Sequence, residues 1–275
     1  MKLNYLKIGF AISSIALVMF SCKKDNTTPE PTVTRQWTIA LSAKNEVPAP
    51  ANRTETGTAT LELRSDNSLK YTISVGNLTS GDALVAAHLH VGNVITNGGI
   101  VLALNPTFTG GTATGTITKV RQTLVDSLKS DVIYELYFNV HSSQVGSGLV
   151  RGQLNVGIEL AADVALSGAN EAPNAVNTTA KGLAILRLTA DKKLYSKVTI
   201  TTLEQGDAMA AAHIHKGASG VSGPVILALN NATDFGTAKM FTVDDALFTS
   251  LKTDAIYVNA HSANYPGGIV RGQIR

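Results

Sequence analysis

Residues 57–64 read Gly57-Thr58-Ala59-Thr60-Leu61-Glu62-Leu63-Arg64, with apolar Ala59, Leu61 and Leu63 separated by polar neighbours. The next segment keeps the beat: Leu69, Tyr71, Ile73 and Val75 alternate with Lys70, Thr72 and Ser74. A period of two puts one set of side chains in a core and the other in water, which is the pattern of half-buried antiparallel strands. Gly, Asn and Asp punctuate these runs at intervals suited to a sandwich or small barrel. Two segments, Gln122 to Ser130 and Asp244 to Lys252, carry a helical period instead. In the second, Thr242 is the expected cap, Asp244 and Asp245 suit the first turn, and Ala246, Leu247 and Leu251 form an apolar stripe. The expected fold is all-β: two tandem antiparallel Greek-key-like β-sandwich domains, each with one short helix.

The tandem arrangement follows from an internal repeat. Ala40-Leu41-Ser42 followed by Asn45-Glu46-Val47-Pro48 returns as Ala165-Leu166-Ser167 followed by Asn170-Glu171-Ala172-Pro173. Val150-Arg151-Gly152-Gln153-Leu154 returns as Val270-Arg271-Gly272-Gln273-Ile274. The copies are offset by 125 residues at the first histidine (213 minus 88) and by 120 at the last (261 minus 141), with extra residues in the first copy around Tyr134 to Leu136. A period this long is domain duplication, since solenoid repeats run nearer 20–50 residues. The expected domains are 36–156 and 157–275.

All six histidines occupy equivalent places: His88, His90 and His141 in the first copy, His213, His215 and His261 in the second. On a strand, His88 and His90 share a face, about 6.5–7 Å apart at Cα, and Leu89 takes the other. Leu89 and Ile214 are apolar, as are Val85, Ala87, Ala210 and Ala212 on their side, so the core is expected there. The histidines then look outward or lie under a covering loop. Three histidines suffice for an open copper or zinc site. They equally suit hydrogen bonding to loop backbone. Near each domain's end, Arg151 and Arg271 either pair with Glu46 and Glu171 through a bidentate contact or bind an anion beside the histidines. Gly152 and Gly272 are expected to allow close backbone approach.

Enzyme signatures are lacking. No Gly-X-Ser-X-Gly elbow, Walker sequence or HEXXH pattern occurs. Asp82 and Asp207 follow glycine and read as turn residues; Ser142, His141 and Asp82 could compose a triad only on paper. The first 21 residues read as a signal peptide, with basic Lys2 and Lys7 before an apolar run from Ile8 to Phe20 that is too short to span a bilayer. Cys22, the only cysteine, is the expected lipidation site, and residues 22–35 the expected tether to a membrane. Without Lys2 and Lys7, 21 of the 23 basic residues remain against 20 acidic ones. No basic stripe supports nucleic-acid binding.

The ordered set Ala-Ala-His-Leu/Ile-His, Asn-Val/Ala-His-Ser and Gly-Leu/Ile-Val-Arg-Gly-Gln, present in both copies, resembles the CHRD domain, the module named from chordin. That resemblance implies an all-β extracellular module. In bacterial relatives it implies a secreted or lipid-anchored protein, and for this chain the expected location is the bacterial cell envelope, as an outer-membrane or cell-surface lipoprotein. The cysteine-rich growth-factor-binding domains that accompany the module in chordin are missing from this chain. A fainter similarity runs to copper/zinc superoxide dismutase, and it would set the three histidines of each copy at copper-ligand positions. The disulfide pair of that family is absent, and no histidine is left over to bridge to zinc. The leading expectation is a lipid-anchored extracytoplasmic protein, more a binding module than an enzyme, presenting two CHRD modules to an extracellular or envelope protein for binding or adhesion. The alternative is copper or other transition-metal binding at a three-histidine site in each domain.

Overall fold

The computed structural model describes residues 29–130 and 135–275. The signal segment 1–21, Cys22, most of the tether and Tyr134 therefore lie outside the described residues. In the first domain the elements run β1 (Val33–Ser42), β2 (Thr56–Arg64), β3 (Leu69–Gly76), β4 (Leu84–Val91), β5 (Ile100–Ala103), β6 (Thr112–Ile117), α1 (Gln122–Lys129), β7 (Leu136–Ser142) and β8 (Val150–Gln153). The second repeats them as β9 (Ile158–Ser167), β10 (Lys181–Thr189), β11 (Lys193–Thr201), β12 (Met209–Lys216), β13 (Val225–Asn231), β14 (Lys239–Thr242), α2 (Asp245–Thr253), β15 (Ile256–Ser262) and β16 (Val270–Gln273). Strand β1 begins at Val33, inside the stretch that reads as tether in the sequence. Among the described residues no helix is long and apolar enough to cross a membrane.

Each domain is one eight-stranded antiparallel sheet folded into a sandwich, in the order β5-β4-β7-β8-β1-β2-β3-β6 and its counterpart β13-β12-β15-β16-β9-β10-β11-β14. The two halves join at a single residue pair, Ser42 with Arg151 in the first domain and Ser167 with Arg271 in the second. The chain crosses between halves from β3 to β4, from β5 to β6 and from β6 to β7, which gives the Greek-key character. Close approach at the seam needs glycine: a Cβ on Gly152 would sit 2.3 Å from the Ala40 carbonyl oxygen, and one on Gly272 would sit 2.5 Å from that of Ala165.

Alternation places the core where the sequence puts it. Ala59, Leu61, Leu63, Leu69, Tyr71, Ile73 and Val75 are all buried, and Leu89 and Ile214 are fully enclosed. Val85 and Ala210 depart from the expectation and are exposed. The register shifts between Leu84 and Ala86, and between Met209 and Ala211. Each β-bulge adds one residue and reverses the facing of those before it. Thr242 is not the cap of α2; Asp244 is, accepting from the Leu247 amide at 2.8 Å.

Candidate metal centre in each domain

Strand pairing assembles the histidines. In the β4–β7 ladder His88 faces Asn139, His90 faces Tyr137 and Ala86 faces His141. Tyr137, Asn139 and His141 thus share the histidine face, while Phe138 and Val140 enter the core. The same pairs recur as His213 with Asn259, His215 with Tyr257 and Ala211 with His261. In each domain one nitrogen from each of the three rings lies within 4.8 Å of the others.

Hydrogen bonds to backbone carbonyls fix which nitrogens converge. His90 Nδ1 donates to the Gly98 carbonyl at 3.0 Å and His141 Nδ1 to that of Gly146 at 3.0 Å. His215 Nδ1 donates to Gly223 at 2.9 Å and His261 Nδ1 to Pro266 at 3.0 Å. A carbonyl only accepts, so a neutral ring held this way keeps its lone pair on Nε2. His141 Nε2 accordingly accepts from His88 Nδ1 at 2.9 Å, as His261 Nε2 does from His213 Nδ1 at 3.1 Å. The Nε2 atoms of His90 and His215 are buried with no hydrogen-bond partner. An orphaned lone pair beside two further imidazole nitrogens is the arrangement a transition metal satisfies.

Dimensions agree with such an ion after small ring movements. Metal–nitrogen bonds of about 2.0–2.1 Å hold tetrahedral nitrogens about 3.3 Å apart and opposed ones about 4 Å apart. His88 Nδ1 and His141 Nε2, 2.9 Å apart, would open slightly, and the other separations, none above 4.8 Å, would close by up to about 1.5 Å. Protonation is also suitable. Burial, followed by the neighbouring imidazoles His141 and His90, lowers His88 to about 4. Burial likewise lowers His90, His141, His213 and His261. These five rings are neutral at neutral pH.

A layer of supports surrounds the rings. Tyr137 stacks on His90 with centroids 4.9 Å apart and planes at 10°, and Tyr257 does the same to His215. Arg151 lies 3.5 Å over the Tyr137 ring and Arg271 3.4 Å over Tyr257. Neither arginine forms the expected bidentate contact with a glutamate. Arg151 donates to the carbonyls of Asn93 and Thr96 and to Asn97 Oδ1, so its charge is spent tying down the turn that orients His90. Arg271 donates to the carbonyls of Ala218 and Val221. Glu46 and Glu171 instead accept from Asn139 and Asn259. Burial pushes both glutamates up to about 7, against the opposing pull of Arg151 and Asn139 on Glu46 and of Asn259 and Arg271 on Glu171.

No triad forms from Ser142, His141 and Asp82, because both nitrogens of His141 are engaged elsewhere. Asp82 holds the loop after β7 by accepting from Ser143 Oγ and the Gln144 amide. The sequence gives the histidines a role and places Tyr137, Asn139, Tyr257 and Asn259 on the same repeated strands without one. The recurring Tyr-X-Asn-X-His spacing, which sets all three on one strand face, was the available signal. A cleft of about 390 Å³ opens beside His90, walled by residues 46–50, Asn97 and Tyr137.

Fold and site together define a class: a tandem β-sandwich protein with one three-histidine cluster per domain. The CHRD domain family model matches residues 37–154 and again 162–274, and the chain belongs to that family. No curated protein and no solved structure matches it.

Proposed function

We propose that this is an exported, envelope-anchored protein that binds two transition-metal ions, copper foremost, one at each three-histidine cluster. The observation that carries the reading is the buried, unpartnered Nε2 of His90 and of His215, each facing two further imidazoles, one of which (His141 or His261) is oriented by a backbone carbonyl and in turn orients the other. Three neutral nitrogens leave an open coordination position, which suits copper or zinc. The chain's own contribution is to orient the rings, fix their tautomers and leave one side of the ion accessible. His88 Nδ1 must give up its proton to coordinate, and the ring can carry that proton on Nε2 instead. Export and anchoring are supported by Lys2, Lys7, the apolar run to Phe20 and Cys22.

Elemental analysis after copper or zinc titration and dialysis tests the reading. The expected result is close to two ions per chain, one fewer in His90→Ala or in His215→Ala, and none in the double variant. Retention of no metal by the unsubstituted protein would sink it. A second reading, presentation of the two modules for protein binding or adhesion, is supported by family membership and by the exposed apolar Val91 and Ile100 on the first domain. Envelope cross-linking that recovers the same defined partner from the unsubstituted protein and from the metal-free double variant would favour it.

A further inference from the structure

The two clusters have the same internal geometry but different surroundings. In the first domain, the loop from Glu46 to Pro50 walls the cleft beside His90. That loop is gripped from the second domain. Arg187, fully buried on β10, donates to the Glu46 carbonyl and to Asp163 Oδ1 at 2.7 Å. Asp163, on β9, accepts from the Ala49 amide through Oδ2 at 2.7 Å. One ion pair thus brackets the peptide from Glu46 to Ala49.

From that loop a continuous set of contacts reaches a histidine. Asn97 donates to the Val47 carbonyl and accepts from Arg151, which lies on Tyr137, which stacks on His90. Among the described residues the matching loop in the second domain is held by its own domain, through Ser222 Oγ donating to the Ala172 carbonyl at 2.8 Å and Asn259 donating to Glu171. At the positions equivalent to Asp163 and Arg187, the first domain carries Thr38 and Glu62.

We propose that Arg187 and Asp163 are positioning residues for the histidine cluster of the first domain, so that this site is a composite of both domains while the second is self-contained. The two metal sites of one chain then hold their ions with unequal strength. The inference rests on the metal-binding reading for its affinity consequence, but its mechanical part stands on the metal-free protein.

The test uses copper(II) as the probe and the full chain in two backgrounds. His213→Ala/His215→Ala leaves only the first site; His88→Ala/His90→Ala leaves only the second. Arg187→Gln and Asp163→Asn are introduced together, so neither charge is left buried alone. Loss of an outer support costs a metal site about tenfold or more in affinity. The expected result is a loss of that size at the first site, with a changed copper EPR spectrum, and no change at the second. Both substituted residues belong to the second domain's own sheet, so a merely structural defect would fall on the second site. Equal loss at both sites, or an unaltered first site, overturns the proposal. Hydrogen exchange of the metal-free protein separates the two ideas. The Ala49 amide is expected to exchange faster in the paired variant, with the Gly223 turn unchanged. Unchanged exchange at Ala49 overturns the clamp whatever the metal result, whereas absence of copper from both unsubstituted sites overturns only the metal-binding reading.

Discussion

The two domains agree closely at their histidines and diverge one layer out. His88 to His141 spans 2.9 Å and His213 to His261 3.1 Å, and the tyrosine stacks repeat to the same distance and angle. Behind them, the first domain buries a charged network in which Arg53 joins Glu55 at 2.8 Å and also pairs with Asp82. The second has Thr178 and Ala180 in place of Arg53 and Glu55, and Oδ2 of Asp207 is left buried without a partner. The difference teaches that the geometry around the rings depends on the local ladder and turn carbonyls, while the outer scaffold can be built in more than one way.

Replacing the stacked arginines should give the largest effect. Arg151→Ala strands three acceptors and Arg271→Ala two, at about 1 kcal/mol or more each. The first variant is therefore expected to lose about 3 kcal/mol and the second about 2 kcal/mol in denaturant unfolding. Trp37, the only tryptophan, lies in the first domain and reports it separately by fluorescence. Equal losses would break the distinction between the two braces.

Gly148 and Gly268 sharpen the comparison from the other side. Both have left-handed backbones, at φ +137° and +133°, and an added Cβ would lie within 2.8 Å of the Asn–Glu pair in either domain. Gly148→Ala and Gly268→Ala should each cost about 2 kcal/mol, and by the same amount. A clear inequality in domain-resolved hydrogen exchange would show that the two pairs are not mechanically equivalent.

Acid should separate the domains by the smallest margin. Burial alone would raise Glu55, but the Arg53 guanidinium, its own amide and Thr79 outweigh it and hold the carboxyl at about 2. A carboxyl with a depressed folded-state value stabilises above its ordinary value near 4.5, and that contribution is lost as pH falls toward 2. Glu55→Gln should raise the acid midpoint reported by Trp37 by roughly half a pH unit. The second domain has Ala180 at this place and so lacks this one contribution. An unmoved midpoint would remove the network from the list of differences.

Much of this was legible in the sequence. Period-two alternation over residues 57–75 identified the core strands because burial on one face enforces it. Repetition singled out the histidines as a set. The bulges that expose Val85 and Ala210 were not legible, since an extra residue in a ladder leaves no mark in an apolar run. Carbonyls of Gly98 and Gly146 carry no side-chain signature, so ring orientation stayed hidden. The Arg187–Asp163 clamp was invisible for a different reason: it exists in one copy only, and reading by repetition discards whatever is unpaired.

The single-pair seam between the sheet halves has a mechanical meaning. Arg151 fastens β8 to β1 through its main chain while its side chain braces the turn above His90, and Arg271 does both in the second domain. A force that draws β1 away from β8 meets a zipper with one tooth, and that tooth is the residue propping the site. Tension across the sandwich would therefore be felt at the imidazoles before the hydrophobic layers part.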